Sequence, residues 1–420
     1  MKSLCLALIG ATALAGVARA DMIFLSNQLR PIEEAEKVRQ VILKGFPEPV
    51  EYVVDEPGPW IARIKAEAQS GSVNTGLLGG LHGDFATIAD ALDPVDDVMK
   101  ELGDRGIDPA YVKLGELGSG HQLYVPWMQA TYIMVANKQA LPHLPQGADI
   151  NQLTYAQLAE WGANIGKATG ERKLGFPGGP KGLMYRLFQG SLYPAYTAGV
   201  VRTFKSAEAE TMWADFKTIW KSTNPRSTSF DFMQEPLLAG DVWVAFDHVA
   251  RVIDALRQKP DEFVAFPAPT GPKGLGYMPV VAGVAIPKGT PDRPSAVKLI
   301  EYLTQPEVQV TTLRETAFFP VVKADLPADL APGLQLASAA IERQVGAANA
   351  IVSLLPVGLG EKNGEFNKVF TDTFQLIVVR NRDIKDSLES QGEKLAGIMQ
   401  AAGAACWQPD ASSQGPCPVE

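Results

Sequence analysis

Apolar and polar positions follow two rhythms along the first hundred residues. "MIFLS" (22–26), "VEYVV" (50–54) and "VNTGLL" (73–78) are short apolar runs bounded by polar or glycine residues, and they predict strands. "PIEEAEKVRQVILKGF" (31–46) and "PWIARIKAEAQS" (59–70) repeat apolar residues at helical spacing. The first of these opens at Pro31 with acids in its first turn, a helix-start signal. "FATIADALDPVDDVMKEL" (85–102) predicts a third helix. Strand alternating with helix argues for an α/β sheet with parallel strands. Such sheets hold ligands beyond the carboxyl ends of their strands, where "SNQ" (26–28) and "GGLHGDF" (79–85) fall.

The pattern then changes. "QLYVPW" (122–127) and "TYIMVAN" (131–137) are close-set extended segments, followed by helical periodicity over 154–168, 180–192 and 207–222. A strand (241–246), a helix (248–258), a strand (262–266), an extended run (279–289) and a helix (294–315) come next, and 333–402 is mostly amphipathic helix. About 400 residues exceed one usual core, so two domains are expected.

Both ends of the chain carry signals. Residues 1–20 combine Lys2, an apolar stretch and Ala18-Arg19-Ala20, which reads as a secretory signal peptide and predicts export to the periplasm. Loss of Lys2 and Arg19 with that segment moves the formal charge from −9 to −11. So acidic a chain is a poor match for nucleic acid, though a few local residues can set the sign inside a cleft. Cys406 and Cys417 bracket a Pro- and Gly-containing tail, where an oxidising compartment favours a local disulfide; two free surface thiols are the alternative.

Several stretches carry a resemblance: "YVPWMQATYIMVANKQAL" (124–141), "RLFQG" (186–190), "MPVVAGVAIPKGTPDRPSAVKLIEYLTQPEVQ" (278–309) and "ETAFFPVV" (315–322). The chain resembles the family 1 extracellular solute-binding proteins of ABC transporters, the group that includes maltose-binding proteins. The resemblance implies a type II periplasmic-binding-protein fold: two α/β lobes joined by three crossings, placed near 127–131, 278–281 and 316–320. The first lobe would comprise 21–127 and 281–317, the second 129–279 and 318–402, with 403–420 as a tail. It also implies a monomer without a cofactor. Such a protein captures a carbohydrate or polyol between closing lobes and hands it to an ABC permease, with no chemistry of its own.

A sugar presents hydroxyl edges and apolar ring faces, so its binder needs carboxylate, amide, His or Arg groups beside flat aromatic surface. Asp84 and His82, among the glycines of "GGLHGDF", suit hydroxyls, although Asp84 also suits an N-cap for a helix beginning at Phe85. Asn27 and Gln28 end the first strand, and Trp127 and Met128 fall at the first presumed crossing. In the second lobe, Gly178 and Gly179 precede Pro180 at a presumed helix start whose N–H groups would be free. Arg186 follows on that helix, and Asp247, His248 and Arg251 close a strand, with an Asp247–Arg251 ion pair as the structural alternative. Tyr277, Phe318 and Phe319 sit at the other crossings as candidate stacking rings.

The same residues bear on other function classes. "GANIGKAT" (162–169) departs from a phosphate loop in spacing and in its last residue, and the four histidines show no metal spacing. A secreted glycoside hydrolase would need two facing carboxylates, for which Asp84 and Asp247 are the candidates. A polyamine or ferric-ion binder on the same fold is a further alternative; "YPAY" (193–196) holds the one close tyrosine pair.

Overall fold

The computed structural model describes residues 22–28 and 32–420; the signal segment and the helix start at Pro31 lie outside them. Strands β1 (Met22–Ser26), β2 (Val50–Val54) and β3 (Thr75–Leu81) form where the apolar runs predict them. β4 (Val125–Ala130) and β5 (Tyr132–Asn137) follow, then β6 (Leu174–Gly175), β7 (Val244–His248), β8 (Phe263–Phe266) and β9 (Leu275–Tyr277). β10 (Val280–Ala285), β11 (Phe319–Pro320) and β12 (Ala350–Val352) complete the set.

Two principal sheets result. The first has the order β11-β4-β10-β3-β1-β2 and the second β6-β7-β5-β8, while β12 and β9 make a small ribbon. β1 pairs in parallel with β2 and β3, as alternation with helices requires. The returning strand β10 runs antiparallel between β3 and β4, and β5 is antiparallel to both its neighbours, so the sheets are mixed. The difference has a simple origin: β4 and β5 are one extended run interrupted at Thr131, and β10 comes back from the other lobe.

The crossings follow from sheet membership. The chain leaves the first sheet at Thr131 and returns at Met278-Pro279, where Thr131 Oγ1 donates to Met278 O at 2.9 Å. At 316–320, where the third crossing is expected, the chain is still bonded to the first sheet. β11 still pairs with β4 and Lys323 N still bonds Arg105 O, so the chain departs only before the helix Pro332–Val345. That helix lies on Ile253–Gln258 of the second lobe, where a Cβ at Gly333 would come within 2.5 Å of the Leu256 carbonyl. Two buried glutamines brace the crossings. Gln344 donates to Tyr132 O (3.0 Å) and Thr131 Oγ1 (3.2 Å) while accepting from Ala268 N (2.9 Å). Gln309 donates to Trp127 O (2.6 Å) and Leu303 O (2.7 Å) and accepts from Val321 N (3.0 Å).

Several long predicted helices are divided. Pro94 interrupts 85–102, leaving a turn His82–Phe85 and a helix Asp96–Glu101. Pro306 restarts 294–315 as Arg293–Leu303 and Pro306–Thr316. The segment after Gly178-Gly179 is a turn, and helix begins only at Met184. The glycines of β3 are a packing requirement: a Cβ at Gly79 would lie 3.0 Å from the Phe24 ring, and one at Gly80 3.2 Å from Trp60.

Candidate ligand-binding cleft

The first-lobe wall is built from the carboxyl ends of β1 and β3. Asn27 N donates to Gly79 O (3.1 Å), which locks the two strand ends together and aims Asn27 and Gln28 past the sheet. Asn27 Nδ2 donates to Asp84 Oδ2 at 2.9 Å. His82 Nδ1 lies 2.9 Å from the Tyr124 hydroxyl. Asn27, Gln28 and His82 are each more than nine-tenths buried. Yet Asn27 Oδ1, Gln28 Oε1 and His82 Nε2 find no hydrogen-bond partner among the described residues. A buried polar atom without a partner costs about 1–3 kcal/mol, and these three lie at or just beyond the ends of two neighbouring strands.

Electrostatics sharpens the picture. Burial drops the His82 imidazole to about 4, so the ring is neutral at physiological pH. Burial holds the Tyr124 phenol protonated; donation of that proton to Nδ1 leaves Nε2–H as a donor toward the cleft. Burial also lifts the Asp84 carboxyl to about 6, against the pull of Arg186 and the bond from Asn27. Arg186 is thus near enough to favour the Asp84 carboxylate, while no direct ion pair joins them.

Arg186 is buried in the opposite wall. Its Nη1 donates to Gln189 Oε1 (2.9 Å), and its guanidinium lies 5.0 Å from the Tyr185 ring centroid. Gln189 Nε2 in turn donates to Asn367 Oδ1 (3.1 Å). Below Arg186, Tyr132 stacks on Phe246 (5.7 Å) and meets His248 edge-on (5.2 Å). His248 Nδ1 accepts from Ala250 N (3.3 Å), which puts the ring proton on Nε2, and burial with Arg251 nearby lowers its pKa to about 3. Phe318, from the first-lobe side, approaches the His248 ring at 6.0 Å. The chain thus brings an acceptor-rich wall of Asn27, Gln28 and Asp84 opposite an arginine, with rings at the hinge.

Residues 37–310 match the family described as bacterial extracellular solute-binding protein. The chain belongs to that family. No curated protein sequence matches it. Among solved structures, this solute-binding protein is similar to maltose-bound MalE3 of T. maritima (17% identity, TM-score 0.71, covering 90% of this chain and 99% of that one). It is also similar to the sugar-binding protein MalE of Xanthomonas citri (17%, 0.70, 90% and 97%). A third is UgpB of Mycobacterium tuberculosis in complex with glycerophosphocholine (17%, 0.69, 91% and 99%). At that identity the likeness shows the two-lobed fold. The family is one of binding proteins, not of enzymes.

Other expected site residues are enclosed or already bonded, although Trp127 Nε1 also finds no partner among the described residues. Trp127 and Met128 are fully enclosed, with Trp127 against Phe24 at 5.6 Å, because β4 lies inside its sheet and not at its rim. The N–H groups of Gly178 and Gly179 are not free: they donate to Ser227 O (3.0 Å) and Phe230 O (2.8 Å). Both glycines permit close packing, since a Cβ at Gly179 would clash with Asp231 and the Phe230 backbone. Asp247 is wholly enclosed and accepts from Met233 N (3.1 Å) and His248 N (2.8 Å), so it holds the 233 turn. Arg251 makes no ion pair with Asp247; it lies 4.5 Å from the Phe232 ring and donates to Lys181 O (3.0 Å) and Asp231 O (3.1 Å). Asp84 is inside the 82–85 turn and caps no helix. Tyr277 and Phe319 are buried at the hinge, near Tyr111, whose hydroxyl bonds Gln129.

Sequence patterns passed over Tyr185, Gln189 and Pro356. The first two lie in a stretch that reads as helix, with Gln189 inside the "RLFQG" resemblance but given no ligand role, and Pro356 sits in an apolar run, "SLLPVGL" (353–359), with no polar signal to mark it. Among the described residues no helix is long and apolar enough to cross a membrane, and no group of metal-ligating side chains is assembled.

Proposed function

We propose that the protein is the periplasmic receptor of an ABC importer, working as a monomer that captures a carbohydrate or polyol between its lobes and presents it to a membrane permease. The single observation that carries the reading is the set of unpartnered buried polar atoms, Asn27 Oδ1, Gln28 Oε1 and His82 Nε2, beside Asp84 and opposite Arg186. Vicinal hydroxyls satisfy such a set because each can donate to an acceptor and accept from a donor at once. The solved relatives bound to maltose and to glycerophosphocholine, two hydroxyl-bearing solutes, support the same reading. The ligand-facing groups are Asn27, Gln28, His82, Asp84, Arg186 and His248, with Phe318 and Tyr185 as apolar surface. Calorimetric titration against mono- and oligosaccharides, polyols and glycerophosphodiesters tests it. Saturable binding of one class, lost in Asp84→Ala and Arg186→Ala variants that remain folded, is the expected result. Binding confined to polyamines or ferric ion, or steady turnover of a glycoside, would overturn it.

A further inference from the structure

The tail after the last helix (Ile384–Ala402) is closed by a Cys406–Cys417 disulfide and pinned to the second lobe at several points. Asp410, buried, accepts from the backbone N–H groups of Val200 (3.0 Å), Val201 (2.8 Å) and Arg202 (3.1 Å). Glu420 N donates to Arg202 O (2.8 Å), and Cys417 N to Ala404 O (2.8 Å). The Trp407 ring meets Phe366 at 5.5 Å. Between these anchors, Gln408 offers its carbonyl to Leu354 N at 3.0 Å.

That last bond reaches the cleft. Leu354 belongs to the irregular segment 353–359, whose first residue donates twice: Ser353 N to Tyr277 O (2.8 Å) and Ser353 Oγ to Gln189 O (2.8 Å). Gln189 is the residue whose side chain holds Arg186. Farther along the segment, the carbonyl of buried Pro356 stands against the first lobe: a Cβ at Gly83 would lie 2.5 Å from Pro356 O. Glycine there permits the closest approach of one lobe to the other. An irregular loop without anchors opens at little free-energy cost, so the bonds to Tyr277, Gln189 and Gln408 decide where that carbonyl sits.

We propose that the disulfide-closed tail is a positioning element of the cleft, setting through Gln408 and Ser353 where Pro356 stops the first lobe at Gly83 and how Gln189 presents Arg186 to Asp84. This goes beyond capture of a solute and does not depend on which solute is captured.

Native-state hydrogen exchange on the full, oxidised chain without added solute tests it. In a Cys406→Ser/Cys417→Ser variant, the amides of Ser353 and Leu354, and those of Thr87 and Ile88 across the seam, should exchange at least tenfold faster. The amides of Phe24 and Leu25 in β1 should keep their wild-type rates. Faster exchange confined to Val200–Arg202, or none at all, would overturn the proposal, because the tail would then staple the second lobe alone. If β1 loosens too, Gly83→Ala decides, since it presses on the seam and leaves the tail intact. Faster exchange at Ser353 and Leu354 with unchanged Val200–Arg202 supports the coupling, and unchanged Ser353 and Leu354 sinks it.

Discussion

At the scale of single residues, the cleft is governed by what burial does to ionisable groups. Asp84 titrates near 6, and a hydroxyl that donates to it needs the carboxylate. Affinity for the captured solute should therefore be highest above pH 6 and fall by up to about tenfold per unit below it; Asp84→Asn should bind weakly with a flat profile, as titrations at pH 5 and pH 7.5 would read. Asp247 responds in the opposite sense to an ordinary paired carboxylate. Burial raises it to about 7 in the folded chain against 3.8 unfolded, so the folded state holds the extra proton between those values. Its contribution to stability should decline as pH rises through that window, by at most about 1.4 kcal/mol per unit. His82, lowered to about 4, works against it: the unfolded chain takes up a proton near 6.5 first, and stability is lost as pH falls from there. Asp247→Asn should steepen the acid side of the stability profile by removing the opposing slope, a shift visible in chemical denaturation from pH 4 to pH 8. Trp127→Ala should cost about 3–5 kcal/mol of stability, as core truncations do, with solute affinity retained in the folded fraction.

At the scale of elements, the informative pieces are those that end or interrupt regular structure. β1 and β3 end side by side, and the Asn27–Gly79 backbone bond turns two strand ends into one platform. The apolar runs of β1 and β2 announced those strands to the residue, because a short apolar run bounded by polar residues has few alternatives. The 85–102 and 294–315 runs look continuous in periodicity, yet each contains a proline that the backbone obeys. Gln344 shows the reverse case: a glutamine in the helical repeat that periodicity treats as incidental proves to be the brace of a crossing. Gln344→Ala would leave buried groups of Tyr132 and Ala268 unpaired, at about 1–3 kcal/mol each. Guanidinium unfolding should show that loss, and hydrogen exchange should concentrate it at Thr131–Tyr132.

At the scale of the whole molecule, the proposed function requires a change in the relation of two lobes. A solute that bridged Asp84 and Arg186, as proposed, would bind the closed arrangement preferentially and shift the population toward it. Small-angle scattering should report a smaller radius of gyration on saturation, and an excess of solute a hundredfold over Kd should stabilise the fold by about 2.7 kcal/mol. A profile unchanged by a solute that binds tightly would argue against closure as the capture step. Gly83→Ala belongs to this scale as well: its added methyl meets a backbone carbonyl of the other lobe, so it should weaken solute binding while leaving each lobe's own packing in place.

The order of apolar runs is a local property, and from it the sequence by itself determined an α/β protein; the two lobes were implied by the family resemblance, and the tail cysteines left a disulfide and free thiols both open until the structure joined Cys406 to Cys417. The sequence also determined that Asn27, Gln28, His82 and Asp84 would share one place, because strand ends of a common sheet must lie together. Only the tertiary structure decided that Trp127, Met128 and Asp247 are enclosed, that the Gly178 and Gly179 amides are already bonded, and that Pro356 meets Gly83. The reason is physical: exposure and partnership depend on what other elements are packed above a residue, and those elements come from other parts of the chain, from Met233 beside Asp247 to Pro356 against Gly83.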